Sequence, residues 1–260
     1  MAVHVRAKLI DKELLKEDIV KFKISSKEVA ENAKPGQFIE IKVADNTEQF
    51  LRRPISIYDV DKEKGEMEFI FQIKGKGTQI LATKEVGDEI DLLGPLGYGT
   101  FEIKDYKKVS IIGGGIGTFP LYYLTKALKG KADTTVYIGF RNKELVTLEK
   151  EFEEISNKLV LTTDDGSYKE KGYAIEFLKE DAKKEKPDII FACGPLPMLR
   201  AIREFAIENN IPCQISLEER MGCGIGACLG CAVKVISGET ERYGHVCKEG
   251  PVFLANEVEI

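Results

Sequence analysis

Val109-Ser110-Ile111-Ile112-Gly113-Gly114-Gly115-Ile116-Gly117-Thr118 divides the 260-residue chain into two parts of different pattern. A short apolar run ends in glycines, and residues 119–128 then follow with helical spacing. Strand, glycine turn and helix in that order let backbone N–H groups approach a pyrophosphate. The candidates are Gly113, Gly114, Gly115 and Gly117. Thr118 stands where G-x-G-x-x-G would place its third glycine. The next strand ends in Gly139-Phe140-Arg141, without an acid for a ribose 2′-hydroxyl, so this is not the ordinary dinucleotide fingerprint. A purely structural turn is the competing reading.

C-terminal to this turn, apolar runs at 135–140, 159–163 and 188–192 alternate with helical spacing at 148–155, 174–178 and 198–207. That alternation predicts a parallel sheet covered on both faces. Residues 213–217 either close the sheet or lead into the next module. The fourth strand ends in Cys193-Gly194-Pro195, and ligands of such sheets sit beyond the carboxyl ends of the strands. Cys193 therefore either faces a ligand or is a small buried thiol. Asp164-Asp165-Gly166-Ser167 reads first as a turn; following the third strand, it is also a candidate to border the nucleotide.

N-terminal to the turn the pattern is β-rich. Runs at 3–10, 19–24, 38–43, 54–58, 66–73 and 89–93 are broken by Lys34-Pro35-Gly36, Lys64-Gly65, Gly75-Lys76-Gly77 and Gly94-Pro95-Leu96-Gly97. Six such strands predict a small antiparallel barrel, with one short helix over 78–81. Arg52-Arg53-Pro54-Ile55-Ser56 offers a guanidinium for phosphate and a hydroxyl for a ring nitrogen. Gly75-Lys76-Gly77-Thr78 is a second phosphate-capable turn.

Near the C-terminus, Cys223, Cys228, Cys231 and Cys247 are spaced C-x4-C-x2-C, then fifteen residues, then C. This is plant-type spacing for a [2Fe–2S] cluster. Gly224, Gly226, Ala227 and Gly230 keep the loop small enough to wrap a cluster with its N–H groups on sulfur. A zinc site prefers two matched knuckles, and the second is missing. Cys193 and Cys213 lie outside the motif.

Composition sets outer limits. The net charge of −5 disfavours nucleic acid, and 43% hydrophobic with 31% charged residues is ordinary for a soluble protein. No apolar run reaches a membrane-spanning length, and the first residues lack a signal peptide's apolar core, so the expectation is cytoplasmic. With only His4 and His245, acid–base chemistry on histidine is not expected.

In order, these segments resemble the ferredoxin–NAD(P) reductase superfamily: a flavin-binding barrel, then a pyridine-nucleotide domain. Arg53-Pro54-Ile55-Ser56 resembles its R-x-Y-S flavin motif, with Ile55 where many relatives carry tyrosine. Gly77-Thr78 resembles its second FAD-phosphate element. Gly113–Gly117 and Cys193-Gly194-Pro195 resemble its nicotinamide-side motifs. The segments from Glu219 to Cys231 and from Tyr243 to Phe253 resemble the electron-transfer branch of B-type dihydroorotate dehydrogenases. The resemblance implies a β plus α/β architecture: an FAD barrel at 1–103, an NAD domain at 104–212 and a [2Fe–2S] module at 213–260. It implies that Ile70, Phe71 and Gln72 border the flavin, and that Ser56 and Cys193 stand where flavin and nicotinamide exchange hydride. It further implies electron flow from the FMN of a catalytic subunit, in a 2+2 heterotetramer, through cluster and FAD to NAD in pyrimidine biosynthesis. A reductase subunit of a hydrogenase, a transhydrogenase or a ferredoxin–NAD(P) reductase shares this architecture. Arg141 suits a 2′-phosphate, so the choice between NAD and NADP stays open.

Overall fold

A computed structural model describes residues 2–44, 47–237 and 240–260, apart from the side chain at 237. The chain divides into two compact units. One comprises Met1–Thr100, Glu218–Ala232 and His245–Pro251, and the other Phe101–Leu217, Val233–Gly244 and Val252–Ile260.

The first unit is built on six strands: β1 (Val3–Lys16), β2 (Ile19–Ser25), β3 (Phe38–Lys42), β4 (Arg53–Asp61), β5 (Glu66–Gln72) and β6 (Glu89–Leu96). They close into an antiparallel barrel in the order β1-β2-β5-β4-β3-β6. Alternation supplies the core. Phe22, Phe69 and Phe71 meet edge to face or tilted, with Phe22 and Phe71 centroids 5.2 Å apart. β1 outruns its expected end because residues 11–16, four of them charged, still ladder to β2, past bulges at Leu9/Asp11 and Leu14/Lys16. Likewise β6 continues through Gly94-Pro95, where a break was expected, because Gly94 pairs with Val3 and Leu96 with Phe38. Two short helices are α1 (Lys27–Asn32), absent from the sequence reading, and α2 (Lys76–Ala82). α1 is only six residues long and buries Val29 and Ala30, too little for a recognisable period.

The second unit alternates β7 (Lys108–Gly114), α3 (Phe119–Leu128), β8 (Asp133–Phe140), α4 (Glu149–Ile155), β9 (Lys158–Thr163), the two-residue β10 (Glu170–Lys171), α5 (Ala174–Lys184), β11 (Ile189–Cys193), α6 (Leu196–Glu208) and β12 (Cys213–Ser216). Three strands of β13 (Ala232–Ser237), β14 (Thr240–His245) and β16 (Val258–Glu259) form a small sheet, ordered β14-β13-β16. The main sheet runs β10-β9-β8-β7-β11-β12-β15, with β15 (Val252–Leu254) antiparallel to β12 and the other pairings parallel. Residues 213–217 thus close the parallel sheet, and the C-terminal segment adds its edge strand. Every residue of β11 is buried, as a central parallel strand requires. The chain winds outward from β7 through β8 and β9, then crosses to β11 on the other side. The topological switch point therefore lies between β7 and β11, where open α/β sheets bind ligands. Among the described residues no helix is long and apolar enough to cross a membrane.

Candidate cofactor sites

At the switch point the two turns singled out in the sequence come together. β7 ends at Gly114, and a 3-10 turn over Gly115–Thr118 precedes α3. A Cβ on Gly117 would lie 2.5 Å from the Cα of Gly194, so only glycine lets these backbones pack. Gly113 pairs with Cys193 across the sheet, and Pro195 and Met198 pack over Gly114. Thr118 does not stand in for a third glycine as a spacer: its hydroxyl donates to Gly115 O at 2.8 Å and pins the turn. Cys193 lies at the carboxyl edge but is 1% exposed, so its thiol is covered rather than open. Beyond β8 and β9, the loops are stitched by Asp164 N to Phe140 O at 2.9 Å and Lys143 N to Ser167 Oγ at 2.8 Å. Burial pushes the Asp164 carboxyl up, the Arg141 charge opposes this, and Asp165 adds to it.

In the first unit, Arg53 at the start of β4 lies against the turn that opens α2. A Cβ on Gly77 would fall 2.4 Å from Arg53 Nε, so the missing side chain leaves the guanidinium its place. Thr78 Oγ1 accepts N–H groups from Lys74 at 2.9 Å and Gly75 at 3.2 Å and donates to Gly75 O, holding the turn. Arg53 itself donates to Leu51 O and Gln49 Oε1. A guanidinium beside a glycine turn fits a diphosphate. Ser56 and Pro54 are half-buried and share a face with Phe38 and Glu40, their cross-strand partners. Ile70 is buried on β5. The rings and side chains of its neighbours are committed elsewhere: Phe71 packs on Phe22, and Gln72 Nε2 donates to Asp18 Oδ2 at 2.7 Å. Any contact from Phe71 to a flavin therefore falls to its backbone.

The cysteine loop belongs to the same unit as the barrel. Cys223 is influenced by Cys228, and Cys247 first by Cys231 and then by Cys223. Two irons that share sulfides each need two thiolates, and the four free thiols of this loop region supply that number. Among the described residues no three His, Cys, Asp or Glu side chains gather around one point. Backbone amides already address the sulfurs: Ala227 N to Cys223 Sγ at 3.2 Å, Gly226 N to Cys247 Sγ at 3.1 Å and Cys247 N to Cys231 Sγ at 3.4 Å. Burial works against ionisation of Cys223, but amides of Ile225, Cys228 and Ala227 outweigh it and bring the thiol down to about 6. Cys247 is pushed up to about 12, first by burial and then by its hydrogen bond with Cys231. Cys213, on β12, is pushed up to about 12 by burial alone. The six cysteines, all among the described residues, form no disulfide.

One residue that the sequence reading passed over lies beside this loop. Glu40, in the middle of β3, is 1% exposed, and neither carboxyl oxygen has a hydrogen-bond partner among the described residues. Burial pushes it up to about 7, with Arg52 opposing, Cys223 adding and Arg53 opposing. Alternation made it look like an outward-facing charge, and its face is covered by a segment more than a hundred residues away.

Three family models match: the iron–sulfur cluster binding domain of dihydroorotate dehydrogenase B over residues 218–259, an oxidoreductase FAD-binding domain over 6–102 and an oxidoreductase NAD-binding domain over 111–204. The chain is 40% identical over 257 residues to a Bacillus caldolyticus protein, covering 97% of each. It is 39% identical over 232 residues to one from Desulforamulus reducens, covering 89% of this chain and 88% of that one. Both relatives are named dihydroorotate dehydrogenase B (NAD(+)), electron transfer subunit. A solved structure of an NADH-dependent reduced ferredoxin–NADP oxidoreductase superposes with a TM-score of 0.85 at 32% identity, covering 100% of this chain and 91% of that one. Similarity of this extent places the chain in the family of electron transfer subunits of NAD(+)-dependent dihydroorotate dehydrogenase B, with FAD-binding, NAD-binding and iron–sulfur domains.

Proposed function

We propose that this chain carries electrons between an FMN-bearing, dihydroorotate-oxidising subunit and NAD, in the pyrimidine branch of cytoplasmic metabolism, as part of a 2+2 heterotetramer. The observation that carries the reading is the set of four cysteines, with backbone amides on the sulfurs of Cys223, Cys231 and Cys247, in one unit with a barrel that presents Arg53 to a glycine turn. A flavin exchanges electrons singly or in pairs, which suits it to stand between a one-electron cluster and a two-electron nicotinamide. Arg53 and the Gly77-Thr78 turn hold the FAD diphosphate. Pro54, Ile55, Ser56 and the Ile70–Gln72 segment border the flavin. Cys223, Cys228, Cys231 and Cys247 hold the cluster. Gly113–Gly117 and Cys193-Gly194-Pro195 receive the dinucleotide at the switch point, with Cys193 on the nicotinamide side.

The test is co-expression with an FMN subunit. A stable complex that reduces NAD with dihydroorotate is expected. Failure to associate, or dihydroorotate oxidation by this chain alone, overturns the subunit assignment. The 32% identity to the ferredoxin–NADP oxidoreductase structure favours a second reading, a subunit of that type of reductase. Reduction of NADP from reduced ferredoxin, with no dihydroorotate activity in any complex, would select it.

A further inference from the structure

Glu40 is a carboxyl set in the barrel wall with no hydrogen-bond partner for it among the described residues. Its neighbours on β3, Ile39 and Ile41, are fully buried on one face of the strand, and Glu40 points to the other. On that face it stands opposite Pro54 of the flavin motif and Leu93 of β6. The segment that covers it is the first cluster turn. Gly224 has a φ of +68°, and a Cβ there would lie 2.6 Å from Glu40 Cγ and 3.0 Å from Glu40 Oε1. The glycine is required twice, by its left-handed backbone and by the side chain beneath it.

Two arginines are near, and neither hydrogen-bonds the carboxyl. Arg52 is spent on Asp91, with Nη2 2.6 Å from Oδ1, and on the carbonyls of Asp91 and Glu40. Arg53 is held by Leu51 O and Gln49. A buried polar group without a partner is costly unless something outside the chain completes it. Gly224, which lies over the carboxyl, directly follows Cys223, whose sulfur already receives an N–H from Ala227.

We propose that Glu40 is a positioning residue for the iron–sulfur cluster: the strand-borne side chain that seats the Cys223-Gly224 turn and sets one polar group against the first thiolate ligand. Its stem supplies the seat by volume, and its head contributes to the environment of the cluster. Groups at this remove from a metal commonly tune it as well as retain it.

The inference rests on the cofactor assignment above, so iron, sulfide and FAD are measured first in the full-length parent, reconstituted without oxygen. Three variants then separate stem from head. Glu40→Gln keeps volume and polarity and should match the parent. Glu40→Met keeps volume alone: iron should be retained, while the EPR g-values of the reduced cluster and its midpoint potential move. Glu40→Ala removes both, and a chelator should strip iron roughly tenfold faster with FAD retained. If alanine and methionine variants match the parent in iron release, EPR and potential, the role is overturned. It is equally overturned if the alanine variant sheds FAD together with iron while the methionine variant is unchanged, since Glu40 then only fills the barrel wall. A parent that holds no cluster sinks the cofactor assignment and Glu40 with it, whereas a loaded parent with unchanged variants sinks Glu40 alone.

Discussion

The sulfur of Cys247 accepts an amide from Gly226, and that of Cys223 accepts one from Ala227. Such donors stabilise thiolates and the sulfurs of a bound cluster. Cys213 lies apart from that loop, on β12 in the other unit, where it pairs with Ile190 of β11. Alanine at any of Cys223, Cys228, Cys231 or Cys247 is therefore expected to abolish iron binding and keep FAD. Alanine at Cys193 or Cys213 should leave both iron and acid-labile sulfide at the parent level. Loss of iron in Cys213→Ala with retention in Cys247→Ala would reverse the assignment. At Arg53, a charge-assisted contact with phosphate is worth about 1.5–3 kcal/mol. Arg53→Ala should accordingly weaken FAD binding by about tenfold or more, read by titration of the flavin-free chain. Unchanged affinity means that Arg53 serves only its own loop.

Between elements, Arg52 works as a clamp. Its guanidinium reaches Asp91 of β6 and the Glu40 carbonyl of β3, and His4 of β1 adds a contact to Asp91 at 3.0 Å. Burial opposes the charged form of Asp91, but hydrogen bonds from Arg52 and then His4 outweigh it and hold the carboxyl below its usual value. A depressed folded-state value stabilises the fold above the unfolded-state value and loses that contribution as pH falls through the folded one. Arg52→Ala should thus cost about 1 kcal/mol in urea unfolding at pH 7, allowing for partial exposure of the pair. The gap to the parent should narrow below about pH 4. An equal gap at both pH values would assign Arg52 a packing role only. On the loops after β8 and β9, the Arg141 charge opposes the upward push of burial on the Asp164 carboxyl. Asp164→Asn frees the arginine charge, and the NADPH-to-NADH ratio of kcat/KM is expected to rise by about tenfold, the scale of one charge-assisted contact. A constant ratio would mean that Arg141 does not meet the ribose 2′ position.

For the molecule as a whole, hydride exchange and one-electron transfer draw on different segments of the chain. The isolated subunit is expected to oxidise NADH with an artificial dye and not to oxidise dihydroorotate. Cys247→Ala should keep the dye reaction, and with the FMN subunit present it should lose dihydroorotate-dependent NAD reduction. Coupled turnover at the parent rate in that variant would remove the cluster from the electron route.

Local pattern was enough for the barrel strands, because apolar alternation and glycine or proline breaks are properties of a few adjacent residues. It was enough for the α/β alternation and for the cysteine spacing on the same ground. α1 and β10 were too short to carry a period, and β13 to β16 had no pattern strong enough to be read. The charged end of β1 was invisible because ladder hydrogen bonds, not apolar burial, keep it a strand. Chain sequence by itself thus determined the kinds of elements and the spacing of the cysteines. Only the tertiary structure decided which segments meet: Gly117 against Gly194, Arg53 against Gly77 and Glu40 beneath Gly224. The physical reason is distance along the chain. A residue's own pattern registers whether its face is apolar, and Glu40 is polar by pattern yet buried, because a glycine far along the chain closes over it.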